Sequence, residues 1–196
     1  MKSELLLFGY GIVCLCMLVF NVFYNIALKQ NDRRMVRKTL WIREKISGQM
    51  ARIAAGGKVE EAHMAYLKHY LSHVGNLIAF DHALEEYFPS DEKQILDDYR
   101  RQIQPLFIHL ALVYRKRSNM QAAYFAHFLS KHNQKQQMSL DRVQDILVEY
   151  MKKESLYCRV NALQALYNSG SAESVAKAVT LLDKEGCYIH EKILTD

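Results

Sequence analysis

The sequence predicts an all-α protein in which an N-terminal membrane-spanning helix precedes a series of antiparallel helix pairs. The first observation is an uncharged apolar run at residues 5–28. The second is that only two prolines and eight glycines interrupt the 196 residues, whereas helix-favouring residues recur throughout. The third is that apolar residues after position 40 recur at helical spacing, with no sustained alternation that would indicate strands.

The apolar run is long enough to cross a bilayer. Residues 5–28 form a helix of about 36 Å at 1.5 Å per residue, compared with a hydrocarbon core of about 30 Å. A cleaved signal peptide has a shorter apolar region and small residues before its cleavage site. A lipoprotein signal is disfavoured because Val13 precedes Cys14 and Leu15 precedes Cys16. We therefore expect residues 1–28 to be an uncleaved single-pass anchor in the cell membrane.

The net charge of +5 comes from one short segment. Residues 29–45 carry seven basic and two acidic side chains, and the rest of the chain is balanced. Basic residues next to a membrane span are retained in the cytoplasm, so we expect the N-terminus outside and the bulk of the chain in the cytoplasm. They can also bind anionic headgroups. The candidate lipid contacts are Arg33, Arg34, Arg37 and Lys38.

Residues 29–55 are predicted to continue the first helix as a basic juxtamembrane segment. This stretch holds no proline, and Ile42, Ile46 and Met50 fall on one face. Trp41 would lie about 18 Å beyond Lys29 on a straight helix, so we expect it to pack against the soluble domain rather than the membrane interface.

Residues 56–196 are predicted to form the soluble helical domain. Gly56 and Gly57 end the first helix, and Pro105 suits the first turn of a later one. Short polar turns separate amphipathic segments of helical length. The predicted helices span residues 59–74, 75–88, 91–103, 105–117, 119–132, 139–153, 155–168 and 172–185.

The clearest repeat-like unit lies at residues 155–186. Arg159-Val160, Ala162-Leu163 and Ala165-Leu166 share one helix, Gly170 follows in a turn, and a second helix carries Val175, Ala178, Leu181 and Leu182 before Asp183. This pattern resembles a HEAT repeat over about thirty residues. The resemblance implies an α-solenoid, in which each helix pair stacks on its neighbours, as in membrane-anchored HEAT-repeat proteins of bacteria.

The resemblance is weaker outside this unit. Residues 108–133 share the layout of helix, polar turn and alanine-rich helix, but they lack a turn glycine and carry extra aromatic residues. Tetratricopeptide-like or irregular packing therefore remains open for residues 59–138. Residues 187–194 begin another amphipathic pattern and then stop, which predicts an incomplete last repeat.

Few residues suggest catalysis or metal binding. His63, His69 and His73 share one predicted helix, and the last two have a spacing that can chelate a metal. No HExxH, phosphate-loop, dinucleotide or paired-cysteine motif accompanies them. The four cysteines lack metal-binding spacing and fit a reducing compartment. We therefore expect no catalytic residue, no cofactor and no bound metal.

The function that these features favour is a membrane-tethered helical-repeat scaffold that binds protein partners at the cytoplasmic face. The expected partners are proteins and the membrane, with neither nucleic acid nor a small-molecule substrate. Six of the twelve tyrosines could line a binding groove or fill helix junctions: Tyr99, Tyr114, Tyr124, Tyr150, Tyr157 and Tyr167. The alternative is a HEAT-like lyase or metal-dependent hydrolase that uses the His63, His69 and His73 helix.

Overall fold

The regular structure is entirely helical in residues 2–86, 88–133 and 141–186, which the computed structural model describes. Short 3₁₀ turns lie at Ser90–Glu92 and Tyr150–Lys152. The α-helices are α1 (Lys2–Ala54), α2 (Glu61–Tyr70), α3 (Val74–Glu86), α4 (Lys93–Ile103), α5 (Pro105–Arg115), α6 (Asn119–His132), α7 (Asp141–Glu149), α8 (Leu156–Asn168) and α9 (Ala172–Lys184).

Helix α1 is continuous from the apolar run through the basic segment, as predicted. It ends at Ala54, and Gly56 adopts a positive φ of 82°, a conformation that favours glycine. In the described part of the chain, α1 is the helix that is long and apolar enough to cross a membrane, and its apolar stretch is unburied. Within that stretch the Asn25 side chain donates to the Asn21 carbonyl at 2.9 Å, which partly satisfies the amide.

The C-terminal half of α1 belongs to the core of the soluble domain. Ile42 and Ile46 are fully buried and Met50 is nearly so, because their one-turn spacing places them on a single face of the helix. Trp41 packs against the rings of Tyr66 and Tyr70 on α2 at centroid distances of 5.5 and 5.7 Å. The predicted contact of Trp41 with the soluble domain is therefore confirmed.

The eight helices predicted after residue 56 correspond to α2 through α9. Pro105 occupies the first turn of α5, and Gly170, with a φ of 74°, separates α8 from α9. The 3₁₀ turns shift the predicted start of α4 and the predicted end of α7. Helix α2 is also shorter than predicted, at Glu61–Tyr70 and not 59–74. The predicted incomplete repeat after residue 186 lies outside the described residues.

The helices pack in two sets. In the first set α2 contacts α5, α5 contacts α7, and α7 contacts α9. In the second set α1 contacts α3, α3 contacts α6, and α6 contacts α8. Helix α4 stands apart from this order and packs against α1 and α5. One hydrophobic core extends through both sets, from Ile42 to Leu182.

The side-chain contacts along α1 fix the direction of the first hairpin. Near the far end of α1, the Gln49 side chain accepts a hydrogen bond from the backbone N–H of Glu60, just before α2. Near the anchor, Lys38 donates to Asn76 at 2.9 Å in the first turn of α3. Helix α2 therefore runs back toward the apolar stretch of α1, and α3 runs away from it.

Later hairpins keep these directions. The Tyr114 hydroxyl near the end of α5 donates to the Leu71 carbonyl just after α2, and the Tyr150 hydroxyl after α7 donates to the Ala111 carbonyl on α5. The turns at residues 71–73, 116–118 and 153–155 therefore lie at the same end of the domain. We call this end, which is closest to the apolar part of α1, the anchor-proximal end.

Candidate protein-binding groove

An apolar groove runs across the N-terminal halves of α3, α6 and α8. Its volume is about 410 Å³. Met120 and Tyr157 border it and expose 70% and 72% of their surfaces, which is a large exposed fraction for two big apolar side chains at one groove. The lining residues are Val74, Ile78, Met120, Gln121, Ala123, Tyr124, His127, Tyr157 and Asn161.

The groove exists because three parallel helices start at the same end of the domain. Met120 and Tyr157 occupy the first turns of α6 and α8, which follow equivalent turns of the chain. Among the described residues, the lining includes no Lys, Arg, Asp or Glu side chain. Polar atoms come from the side chains of Gln121, His127 and Asn161 and from the Tyr hydroxyls. Such a surface suits an apolar, uncharged ridge on a partner.

A buried polar cluster supports the floor of the groove. Tyr124 lines the groove and donates its hydroxyl hydrogen to Asp81 at 2.7 Å. The other Asp81 oxygen lies 2.8 Å from Nε2 of His132 and 3.0 Å from Nζ of Lys131. Asp81 lies on α3 and its three partners on α6, so the cluster fixes the relative position of two groove helices.

Hydrogen bonding keeps Asp81 ionised in spite of its burial. Desolvation raises the pKa of this carboxyl, but the hydrogen bonds from His132, Tyr124 and Lys131 outweigh desolvation and hold the pKa well below its usual value. Burial lowers the pKa of His132, which favours a neutral imidazole. Because an ionised Asp81 only accepts hydrogen bonds, Nε2 of His132 must carry the hydrogen.

The same residues could hold a metal ion by position alone. Asp81, Glu85 and His132 offer ligand atoms within 4.8 Å of one another. However, Nζ of Lys131 lies 3.0 Å from Asp81 and 2.7 Å from Glu85. The lysine ammonium therefore supplies the positive charge that a metal would bring, and a metal would have to displace it. The donor set fits a structural salt-bridge network better than a metal centre.

The structure does not bring the three histidines of α2 and its C-terminal turn together. His63 is buried, and its Nε2 lies 2.9 Å from the Tyr99 hydroxyl on α4. The rings of His69 and His73 lie 6.1 Å apart, and both residues are exposed. His63 therefore faces a different neighbour from the other two, and the arrangement required by the alternative enzyme hypothesis is not formed by these residues.

The six tyrosines singled out in the sequence serve different purposes. Tyr99, Tyr114 and Tyr150 are fully buried, with their hydroxyls bonded to His63, the Leu71 carbonyl and the Ala111 carbonyl. Tyr124 and Tyr157 line the groove. Tyr167, at 73% exposure, lies on α8 outside the groove.

Sequence reasoning missed two parts of the site. Asp81 and His132 were not recognised, because an Asp and a His 51 residues apart give no local signal of pairing. Met120 was also missed, although a large apolar residue in the first turn of an alanine-rich helix, directly after a polar turn, is a usable signal of an exposed contact residue.

The four candidate lipid contacts are exposed on α1 between the apolar stretch and the soluble domain. The Nε of Arg37 donates to the Arg33 carbonyl one turn earlier, and Lys38 bonds to Asn76. Arg33 and Arg34 have exposed side chains. Their position leaves them available to headgroups, and their role in lipid binding stays a prediction.

Comparison with known proteins gives no relative: no family model, no curated protein and no solved structure matches the chain.

Proposed function

We propose that the chain is a membrane-tethered helical-repeat scaffold that takes an amphipathic helix of another protein into the groove between α3, α6 and α8. The observation that carries this proposal is the pair of highly exposed apolar residues, Met120 and Tyr157, at an uncharged groove next to a membrane-anchored helix. Exposed apolar surface of this kind marks contact sites in soluble domains.

The packing order supports a repeat architecture. Helices α5, α6 and α7 each contact the helix two positions further along the chain, which is expected when helix pairs stack. Helices α2 and α3 contact the helix three positions further, because α4 intervenes. The ends of α5 and α7, Arg115 and Glu149, are 34 residues apart, and the starts of α6 and α8, Asn119 and Leu156, are 37 apart. Helix α4 departs from a regular HEAT-like array as an insertion between the pairs α2–α3 and α5–α6.

The chemistry of the groove favours a helical occupant. Because the lining has no ionisable Lys, Arg, Asp or Glu, it complements a neutral apolar strip, and a charged strip would lose solvation without gaining a partner. The exposed surface beside it is charged, for example at Arg117 and Lys152. A helix with apolar residues at i, i+3, i+4 and i+7 and polar flanks matches both surfaces.

The first test uses two tyrosines of α8 that differ only in location. Tyr157 lines the groove and Tyr167 does not, yet their exposures are 72% and 73%. A photo-crosslinking amino acid replaces each in the full-length chain in its membrane. We expect position 157, and not position 167, to crosslink one defined segment of a partner protein, mapped by mass spectrometry.

The mapped segment must then bind by the expected chemistry. A synthetic peptide of that segment should become helical and bind the purified full-length chain. Met120→Ala and Tyr157→Ala should each weaken binding by about fivefold or more, since truncating an anchor residue costs more than about 1 kcal/mol, whereas Tyr167→Ala should not. Equal crosslinking at both positions, or a mapped segment without an apolar face, would contradict the proposal.

A further inference from the structure

We propose that the anchor-proximal end of the soluble domain is a second binding surface, which contacts anionic phospholipid headgroups and holds the domain upright against the membrane. This inference rests on the part of the proposed function in which α1 anchors the chain in the membrane. It extends the predicted lipid contacts from α1 to turns that are distant in sequence.

Contacts between successive turns place these turns in one row. Tyr114 bonds to the carbonyl of Leu71, which joins the turn at residues 71–73 to the end of α5. Lys153 donates its Nζ hydrogen to the Arg117 carbonyl at 3.1 Å, which joins the turn at residues 116–118 to the turn at residues 153–155. The turns therefore form a row that extends sideways from α1, and all of them lie at roughly the same level along the α1 axis.

Exposed basic side chains occupy the tips of this row. Lys116, Arg117 and Lys152 are exposed. The acidic residues near them are Glu149, which is paired with Arg115, and Glu154. At the opposite end, Glu86, Asp91 and Glu92 lie where α3 ends and the next 3₁₀ turn begins, and the basic residues Lys58 and Arg142 are dispersed on other elements. The basic end is the one that faces the anchor.

The distance along α1 places this end within range of the headgroups. Lys38, which contacts the first turn of α3, lies ten residues beyond Leu28, or about 15 Å on a helix. The headgroup region occupies about 5–8 Å of that distance. The remaining gap is comparable to the Debye length of about 8 Å at physiological salt, so the turns lie where the surface potential still attracts basic side chains.

The experiment measures the distance of each end of the domain from the lipid surface. The full-length chain, with Cys14→Ala, Cys16→Ala and Cys187→Ser, carries a fluorophore on Ser118→Cys or on Ala55→Cys. Both positions are exposed, the first at the anchor-proximal end and the second at the far end of α1, and the remaining Cys158 is fully buried. Energy transfer to a headgroup-labelled lipid is recorded in nanodiscs of phosphatidylcholine, with and without phosphatidylglycerol.

We expect phosphatidylglycerol to increase transfer from position 118 but not from position 55, and high salt to reverse the increase. Arg117→Gln/Lys152→Gln should lower the ratio of docked to undocked molecules by about five-fold for each charge removed. Lys58→Gln/Arg142→Gln is the matched control, because it removes two exposed basic residues near the opposite end, and it should leave the increase unchanged.

Transfer from position 118 that does not respond to phosphatidylglycerol would overturn the proposal. The proposal would also be overturned if both double variants reduced the phosphatidylglycerol-dependent increase in energy transfer equally. The increase would then depend on the net charge of the protein and not on the basic residues of these turns. Peptide binding in the groove is measured separately in an uncharged detergent. A negative result for lipid docking would therefore not contradict peptide binding in the groove. A negative result for peptide binding would not contradict the lipid-binding surface.

Discussion

At the scale of single residues, burial decides how the polar groups behave. Asp81 is 3% exposed and accepts hydrogen bonds from three side chains on α6. Removal of the carboxylate would leave all three donors without this acceptor, so the cluster should stabilise the fold far more than the exposed ion pair between Asp98 and Arg101 on α4. Tyr124, which lines the groove, is one of the donors. The cluster therefore stabilises the α3–α6 contact and also fixes the position of a groove residue.

Replacing Asp81 should therefore destabilise the fold and change its response to acid. Asp81→Asn should lower the free energy of unfolding near neutral pH by roughly 3 kcal/mol, the range for removing one member of a buried ion pair. The folded pKa of Asp81 is below that of an unfolded aspartate, about 3.9. Its contribution is therefore complete above that pH and is lost as pH falls through the folded pKa.

The measurement is denaturant unfolding of the full-length chain in detergent between pH 2 and pH 7. The difference between wild type and Asp81→Asn should shrink as the pH drops below about 4. Asp98→Asn is the matched control, because Asp98 forms an exposed ion pair with Arg101 and should cost less than about 1 kcal/mol. An equal effect of both substitutions would show that the buried cluster adds no special stability.

At the scale of helices, small side chains set how closely neighbours approach. Helices α6 and α8 form the most extensive contact between helices in the described chain. Ala162 and Ala165 on α8 are fully buried, as is Ala126 on α6. Arg159 on α8 is half-buried, and its Nε is buried without a hydrogen-bond partner among the described residues. The contact between α6 and α8 therefore fixes the relative position of the two helices that carry the exposed apolar residues at the border of the groove.

Enlarging one of these alanines should separate the helices. Ala162→Leu should lower the free energy of unfolding of the full-length chain by about 1–3 kcal/mol through overpacking. Ala176→Leu, on the exposed side of α9, adds the same atoms where there is room and should change stability by less than about 0.5 kcal/mol. If Ala162→Leu unfolds at the same denaturant concentration as wild type, α8 does not pack closely at this face.

The elements were predictable because their signals are local. The long run of uncharged apolar residues identified the first helix. Pro105 and Gly170 marked helix boundaries, because the backbone conformation at these positions depends only on nearby residues. The groove was predicted only in part. Whether Tyr150 is buried or Tyr157 exposed depends on which distant helix lies beside each one, and periodicity within a single helix carries no information about that neighbour.

At the scale of the whole molecule, the proposed membrane anchor would determine on which side of the bilayer the groove lies. We expect residues 5–28 to remain attached and the soluble domain to be cytoplasmic, because seven basic residues follow the apolar run and Lys2 alone precedes it. This orientation also places the basic turns opposite the anionic cytoplasmic leaflet.

Labelling of cysteines tests this orientation. In a Cys187→Ser background, Ser118→Cys is exposed in the folded domain and should react with a membrane-impermeant thiol reagent only after the cells are opened. A tag at the N-terminus should be detected on intact cells. Reaction of Ser118→Cys in intact cells would reverse the predicted topology, and an undetected N-terminal tag would contradict it independently.

The unbroken course of α1 has a mechanical consequence. From Leu28 to Ala54 the helix extends about 39 Å past the apolar run without a flexible joint, and its last turns are held in the core through Ile46 and Met50. A change of 10° in the tilt of the membrane segment would therefore swing the far end of the domain by about 7 Å. With α1 in a bilayer, as we propose, the helix would act as a stiff lever, and a protein that tilts its apolar stretch would reposition the groove directly.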